Sequence, residues 1–405
     1  MAFLSLQNLN LHNKVVLLRA DLNVPMKGEK VTNDFRIQSL LPTLEYLLKK
    51  EAKIVIVSHL GRPRGHDLAF SLHPVAEALQ QALPQIKVSF CPHTIGPSRS
   101  AMIHNLKPGQ ILLLENLRFY PEEEKNMPSF AQALAQDMDL YVNDAFACSH
   151  RAHASIDAIT HYLAAYPGLL LEKEISNLTH ILTAPQKPLM ALIGGAKISN
   201  KITLLMSLLS RCETIAIVGG MASAFIKARG FSVGRSLLPH GSAELAKQIL
   251  DKSTHTHCHI LLPEDVVVTK EIRPESIWKV VSCDEIAPED IIVDIGPRTV
   301  SRIVQAIDAA KTLLWNGSAG ITEITPFDKG TTALGSHIAA RTQSHNLISI
   351  AGGGDTVAAL ALSGDLDNFT YISTGGGTFL EWVEGKTLPG LRALAIATPP
   401  SPLTK

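Results

Sequence analysis

Residues 189–201 read Leu-Met-Ala-Leu-Ile-Gly-Gly-Ala-Lys-Ile-Ser-Asn-Lys, and this stretch decides the fold. Five apolar residues in a row, Leu189–Ile193, have no polar alternation. A strand buried on both faces has that pattern, and such strands belong to parallel sheets covered by helices. The run stops at Gly194-Gly195, and a helix-like segment, Ile202–Leu209, follows. The unit is strand, glycine turn, helix.

The same unit recurs in both directions along the chain. Apolar runs stand at Val15–Leu18, Ile54–Val57, Ile111–Leu114 and Leu140–Val142 before it. After it come Ile215–Val218, Ile260–Leu262, Ile291–Ile295, Thr312–Trp315, Leu347–Ile350 and Thr370–Ile372. Helix-length segments such as Ser242–Leu250 lie between them. Alternating strands and helices predict an α/β chain with mainly parallel sheets. Eleven strands are many for one sheet, so two Rossmann-like domains are expected, 1–168 and 169–388. Tyr166-Pro167-Gly168 marks the break, and the helical pattern from Leu169 to Leu178 reads as a helical hinge. The turn-rich segment from about residue 389 to 405 follows the second domain.

Composition narrows the function. The chain has 405 residues, 37 basic and 37 acidic, with 46% hydrophobic and 18% charged. That balance excludes a disordered chain. It gives no electrostatic ground for a nucleic acid or an anionic membrane as partner. The segment MAFLSLQNLN has no basic stretch followed by a long apolar run, so no signal peptide is expected. No run reaches ~18 apolar residues, so no membrane span is expected. Five scattered cysteines with no CxxC pair predict a reduced, cytoplasmic setting.

Polar residues cluster where the strand runs end, which in open α/β sheets is where ligands bind. In the first half the runs lead into Asp21, Asn23, His59, Arg62, Arg118 and Arg151, with Arg36 soon after Asn23. Arginine forks match carboxylate and phosphate oxygens, so a small polyanion is the expected ligand. The competing reading pairs each arginine with a local acid. In the second half the runs lead into Gly194-Gly195-Ala196-Lys197, Asn316-Gly317, Gly352-Gly353-Gly354-Asp355-Thr356 and Gly375-Gly376-Gly377. Glycine turns that open helices suit phosphate. The competing reading is that they only close tight turns. Two common nucleotide motifs are absent: Leu380 breaks a P-loop ending at Gly385-Lys386-Thr387, and Val357 stands where a GxGxxG third glycine belongs. His255, His257, Cys258 and His259 lack the spacing of a metal site. Glu122-Glu123-Glu124 reads as a solvated acidic run, and Cys148 as a bystander.

Taken together, eight phrases resemble the phosphoglycerate kinase family, in order and over nearly the whole chain. They are RADLNVPM (19–26), SHLGRP (58–63), LLENLRF (113–119), YVNDAF with HRAHAS (141–155), GGAKISNK (194–201), LWNG (314–317), GGGDT (352–356) and STGGGTFLE (373–381). The resemblance implies a cytoplasmic, monomeric, hinge-bending enzyme of glycolysis and gluconeogenesis. It would transfer a phosphoryl group reversibly between 1,3-bisphosphoglycerate and MgADP, giving 3-phosphoglycerate and MgATP. It also implies an N-terminal substrate domain, a C-terminal nucleotide domain, and a C-terminal tail that returns to the first.

The family's roles fall on particular residues. Asp21, Leu22, Asn23, Arg36, His59, Leu60, Gly61, Arg62, Arg118 and Arg151 would hold 3-phosphoglycerate. Gly195, Lys197, Lys201, Asn316, Glu323 and Gly353 to Thr356 would hold the nucleotide, with Asp355 on Mg²⁺. Arg36, Lys197, Gly354 and Gly377 would act on the transferring group. One departure stands out: Ser318-Ala319 replaces a stretch that begins with proline in the family, which predicts a looser loop. Two other classes explain part of the pattern. A nicotinamide-dependent dehydrogenase lacks its fingerprint here, and a non-catalytic anion-binding protein leaves the second glycine-rich half without a purpose.

Overall fold

The computed structural model describes residues 3–7 and 9–396. The chain divides into two compact units, residues 1–176 with 387–405, and residues 177–386. The helix Leu169–Thr183 spans the division, which therefore falls inside it rather than at Gly168. The helix Pro389–Ile396 belongs to the first unit, where Gly390 N–H donates to Ser149 O at 2.9 Å. The remainder of the expected tail, 397–405, lies outside the described residues.

The first unit contains β1 (Val15–Ala20), a small hairpin of β2 (Met26–Lys27) and β3 (Lys30–Val31), β4 (Lys53–Val57), β5 (Val88–Cys91), β6 (Ile111–Leu114), β7 (Leu140–Asp144) and β8 (Ala165–Pro167). Its main sheet has the order β5-β6-β4-β1-β7-β8, and every neighbouring pair is parallel. All four residues of β6 and all five of β7 are buried, including the polar pair Asn143 and Asp144 that ends β7. From β1 the chain builds toward β4, β5 and β6 on one side, then passes to β7 and β8 on the other. The direction reverses between β1 and β7.

The second unit contains β9 (Leu189–Ile193), β10 (Thr214–Ile217), β11 (His259–Leu261), β12 (Asp265–Thr269), β13 (Trp278–Ser282), β14 (Ile291–Ile295), β15 (Thr312–Asn316), β16 (Ile348–Gly352) and β17 (Tyr371–Ser373). Its parallel sheet runs β11-β10-β9-β15-β16-β17. Here the reversal falls between β9 and β15. Ile291–Ile295 is a strand, as its composition predicts, but it is not in the parallel sheet. It pairs antiparallel with β12 in a three-stranded sheet, β13-β12-β14. The outer strand of that sheet is exposed at Trp278 and Val280.

The helix Leu169–Thr183 is anchored by a buried acid. Asp144, at the end of β7, accepts from Leu171 N–H at 2.9 Å, while the Thr43 hydroxyl accepts from Leu169 N–H at 3.1 Å. Burial raises the Asp144 carboxyl from the usual carboxylate range to about 7, against the pull of these bonds. A raised acid pKa means that the folded chain keeps a proton which the unfolded chain releases. Its stabilising contribution is full below about pH 4 and is lost as pH rises through 7. Wild-type stability against urea should therefore carry a slope of up to about 1.4 kcal/mol per pH unit from this group over that window. Asp144→Asn should flatten the slope, and an unchanged slope would mean that Asp144 is ionised throughout.

Candidate active site

The loops after the first sheet are tied to one another. Ser58 Oγ accepts from Leu22 N–H at 2.9 Å and donates to Ala20 O at 2.8 Å. Asn23 Oδ1 accepts from Gly61 N–H at 2.8 Å, and Arg118 Nη1 donates to Gly61 O at 2.7 Å. Gly61 has φ +60°, and a Cβ there would fall 2.3 Å from the Phe70 ring, so this turn requires glycine. Arg36 Nη1 donates to Asp21 Oδ1 and to Asn23 O, both at 2.9 Å. Arg151 Nε donates to His150 Nε2 at 3.0 Å. The Leu22 and Leu60 side chains are buried in the core, so only their backbone is available to a ligand.

The cations of this rim differ in how far they are compensated. Arg36 is paired with Asp21, and Arg118 lies 3.3 Å from Glu124. Arg62 is exposed, and its side chain has no hydrogen bond or ion pair among the described residues. Burial, followed by Arg19, Arg118 and other cations, pushes the His59 imidazole well below its usual value and that of His153 to about 3. Both histidines are therefore neutral at pH 7 and unsuited to proton exchange near that pH.

Behind the rim lies a buried network that the sequence reading missed. Arg19, on β1, is only 1% exposed, and Glu123 is also 1% exposed. Glu123 is thus not part of a solvated acidic run. Its neighbours Glu122 and Glu124 reach water, while Glu123 points inward to Ser155. The available signal was Arg19 itself, a charge directly after the apolar run Val15–Leu18. Cys148 is buried beside it, with Sγ 3.5 Å from Arg19 Nη2.

In the second unit the site forms at the strand reversal. Lys201 Nζ donates to Asn316 Oδ1 and Gly194 O, both at 2.5 Å, and to Asn316 O at 3.2 Å. These acceptors are all neutral, and burial lowers the ammonium to about 8 despite the nearby Asp355. Asn316 Nδ2 donates to Gly352 O at 2.6 Å, and Gly317 N–H donates to Thr356 Oγ1 at 2.6 Å. The turns after β9, β15 and β16 are thereby joined. Lys197 is exposed, and its side chain has no partner among the described residues.

The glycines fall into two groups. Gly317 has φ +94°, and a Cβ there would lie 2.4 Å from the Gly194 carbonyl group. Gly353 has φ +101°, and its Cβ would meet Asn316 Nδ2 at 2.6 Å. These two let the turns touch one another. A Cβ at Gly354 or Gly377, each the first residue of a helix, would have nothing within 4 Å. Nothing crowds these two helix starts where a side chain would stand, which leaves the backbone accessible to an incoming phosphate.

A cavity of about 330 Å³ adjoins these turns, and its walls include Gly195, Gly220, Asp294, Glu323 and Asp355. Asp294 accepts from Gly330 N–H at 2.7 Å and Ile295 N–H at 2.8 Å, and burial raises it to about 7. The Ser318-Ala319 departure does not leave this loop unattached. Ala319 N–H donates to Thr331 Oγ1 at 2.9 Å, and Ala319 O accepts from Gly219 N–H at 3.1 Å. Ile321 N–H donates to Val293 O at 3.1 Å.

Uncompensated cations in loops that follow parallel strands of doubly wound sheets, with neutral histidines and uncrowded glycine turns that open helices, are the equipment of a phosphotransferase acting on small molecules. The comparisons with known proteins make that class specific. A family model described as phosphoglycerate kinase matches residues 6–386. The phosphoglycerate kinase of Xanthobacter autotrophicus is 46% identical over 393 residues, covering 97% of this chain and 99% of that one. That of Rhodopseudomonas palustris is 46% identical over 394 residues, with the same coverage. Among solved structures, the Coxiella burnetii phosphoglycerate kinase aligns with a TM-score of 0.84 and 39% identity, over 97% of this chain and 99% of that one. The Pyrococcus horikoshii enzyme aligns with a TM-score of 0.86 and 31% identity, over 97% and 98%. The chain belongs to the phosphoglycerate kinase family. Its activity is the reversible glycolytic phosphotransfer of that family, with the carboxyl group of 3-phosphoglycerate as acceptor and ADP/ATP as the nucleotide.

The two groups of glycines make a paired prediction. Gly317→Ala should destabilise the second unit by at least about 2 kcal/mol in urea unfolding, because strain and backbone overlap coincide there. Gly354→Ala should keep wild-type stability within about 0.5 kcal/mol, yet lower kcat/KM for the nucleotide at least tenfold. Unchanged nucleotide kinetics in Gly354→Ala would place the phosphates elsewhere.

Proposed function

We propose that transfer is direct and in line, with the two substrates held on separate units that close about the helical hinge. The first unit takes 3-phosphoglycerate or 1,3-bisphosphoglycerate. Asp21 and Asn23 bind its glycerate part, and Arg62, Arg118, Arg151 and His59 its 3-phosphate end. Arg36 sits by the reacting carboxyl group. The second unit takes the nucleotide, with its ribose on Glu323 and its phosphates on Lys201, Gly195, Asn316 and the turn Gly353 to Thr356. Lys197 follows the transferring phosphoryl group, and the N–H groups of Gly354 and Gly377 hold its equatorial oxygens.

The observation that most supports this reading is the pair of exposed cations without partners, Arg62 and Lys197, one beside each parallel sheet. A cation left uncompensated by its own chain is available to an anionic ligand. No proton transfer is needed, because the carboxylate and the ADP β-phosphate are both ionised at neutral pH. The neutrality of His59 and His153 agrees with that. What remains is alignment and charge neutralisation. Closure would also exclude water, which otherwise competes as acceptor.

Asp355 fits a magnesium ion carried by the nucleotide. Its carboxylate is exposed in the first turn of its helix, accepts no hydrogen bond among the described residues, and lies on the cavity wall. One carboxylate oxygen with phosphates and water is the donor set that Mg²⁺ prefers. When bound, the ion would offset phosphate charge. We place the enzyme in the cytoplasm as a monomer, as membership of the family implies; its five cysteines are free and buried.

A coupled assay for ATP formed from 1,3-bisphosphoglycerate and MgADP tests the roles. Arg36→Ala and Lys197→Ala should each lower kcat by about 10²–10³; Lys197→Ala should leave thermal stability nearly unchanged, whereas Arg36→Ala should lower it, because the nearly buried Asp21 loses its ion-pair partner. Loss of ligand binding with unchanged kcat would reduce both residues to binding groups. Small-angle scattering should show compaction only with both substrates present.

A further inference from the structure

We infer that Arg19 is a positioning residue that locks His59 in its neutral tautomer with the proton on Nε2, so that His59 meets the substrate as a hydrogen-bond donor. The inference rests on the placement of His59 in the 3-phosphoglycerate rim. It concerns a residue to which that reading gives no role.

A guanidinium has donors only. Arg19 Nη2 lies 3.3 Å from His59 Nδ1, so Nδ1 must present its lone pair. The ring proton is then on Nε2. The Cys148 thiol, 3.9 Å from the same nitrogen, is a second donor-type group on that side. An imidazolium would carry N–H on both nitrogens and set one of them against Arg19. The direction of the His59 titration agrees: after burial, Arg19 is the largest of the charges that hold it well below its usual value. Arg118, Arg36 and His153 also disfavour the charged form, and the Asp21 carboxylate, with an oxygen within 4.8 Å of a ring nitrogen, opposes them.

Arg19 is itself held rigidly enough to impose this choice. Its Nε donates to Ser155 Oγ at 2.9 Å, and its Nη1 donates to the Ala20 carbonyl. Ser155 Oγ donates in turn to Glu123 Oε1 at 2.6 Å, and Ser155 N–H donates to Glu123 Oε2 at 2.9 Å. The serine hydroxyl proton is committed to Glu123, so its lone pair faces Arg19. The chain Glu123–Ser155–Arg19–His59 has one consistent set of donor directions, with Arg19 and Glu123 both buried. A buried arginine whose nitrogens are all directed at named acceptors orients its neighbours.

The test is long-range proton–nitrogen NMR on the full chain with nitrogen-labelled histidine, with the His59 signal assigned by its loss in His59→Gln. In wild type, His59 should show the Nε2–H pattern and stay neutral from pH 8 to pH 6. Addition of 3-phosphoglycerate should shift its Nε2 signal. In Arg19→Met the tautomer preference should be lost, and KM for 3-phosphoglycerate should rise about tenfold while KM for MgATP stays within twofold. Retention of the wild-type tautomer in a folded Arg19→Met overturns the role of Arg19, and if that variant does not fold the wild-type spectrum can still overturn it. A wild-type Nδ1–H pattern, or an imidazolium at pH 7, overturns the role of Arg19. The expected tautomer with no response to 3-phosphoglycerate overturns instead the placement of His59 in the rim, and with it the donor role.

Discussion

The second unit depends on the reversal between β9 and β15. These neighbours are parallel, with Leu313 opposite Met190 and Asn316 opposite Ile193. Their outgoing connections run in opposite directions, so no crossover helix covers the ends of both strands. The gap must be closed by the turns themselves. Lys201 closes it by bonding the Gly194 carbonyl on one side and Asn316 on the other. An ammonium at that point ties the loops and leaves positive charge at the mouth of the crevice. The first unit has the same geometry between β1 and β7, and there Arg19 is the cation at the strand end.

Both units place charge where the dielectric is low, but they treat it differently. Arg19 is surrounded by acceptors and by Glu123. Lys201 has only neutral oxygens, and its lowered pKa records the lack of a direct counter-ion. The acids Asp144 and Asp294 cap backbone N–H groups in the core, and each is raised to about 7 by burial. The chain's even balance of 37 positive and 37 negative residues thus conceals local imbalance. Positive charge without a partner remains at Arg62 and Lys197, where anionic substrates would supply the compensation.

Much of this was legible in the residues. The runs Ile111–Leu114, Leu189–Ile193 and Ile291–Ile295 are strands at those bounds, because short segments that are wholly apolar, or apolar but for one residue such as Asp294, have few other uses. Which sheet a strand joins was not legible: Ile291–Ile295 looks like a parallel-sheet strand but pairs antiparallel with β12. Val88–Cys91 was missed because Ser89 interrupts it, and Ala165–Pro167 because an edge strand of three residues carries little pattern. Trp278–Ser282 was missed because one face of a small sheet meets water. At the site, residues after strand ends were readable by position. Glu123 and Asp294 were not: Glu123 stands in a short helix among acids that reach water and Asp294 inside the run that forms β14, and neither position says which groups it will meet. Only the partners reveal it, as Ser155 does for Glu123.

In the transfer we propose, two separately held substrates exchange a phosphoryl group in one displacement, with the protein supplying position and charge but no covalent relay. The most direct measurement is the stereochemistry at phosphorus, with an isotopically chiral phosphoryl group on ATP transferred to 3-phosphoglycerate by the full chain. A single in-line displacement predicts inversion of configuration. Retention would require two displacements through a phosphorylated side chain and would contradict the account.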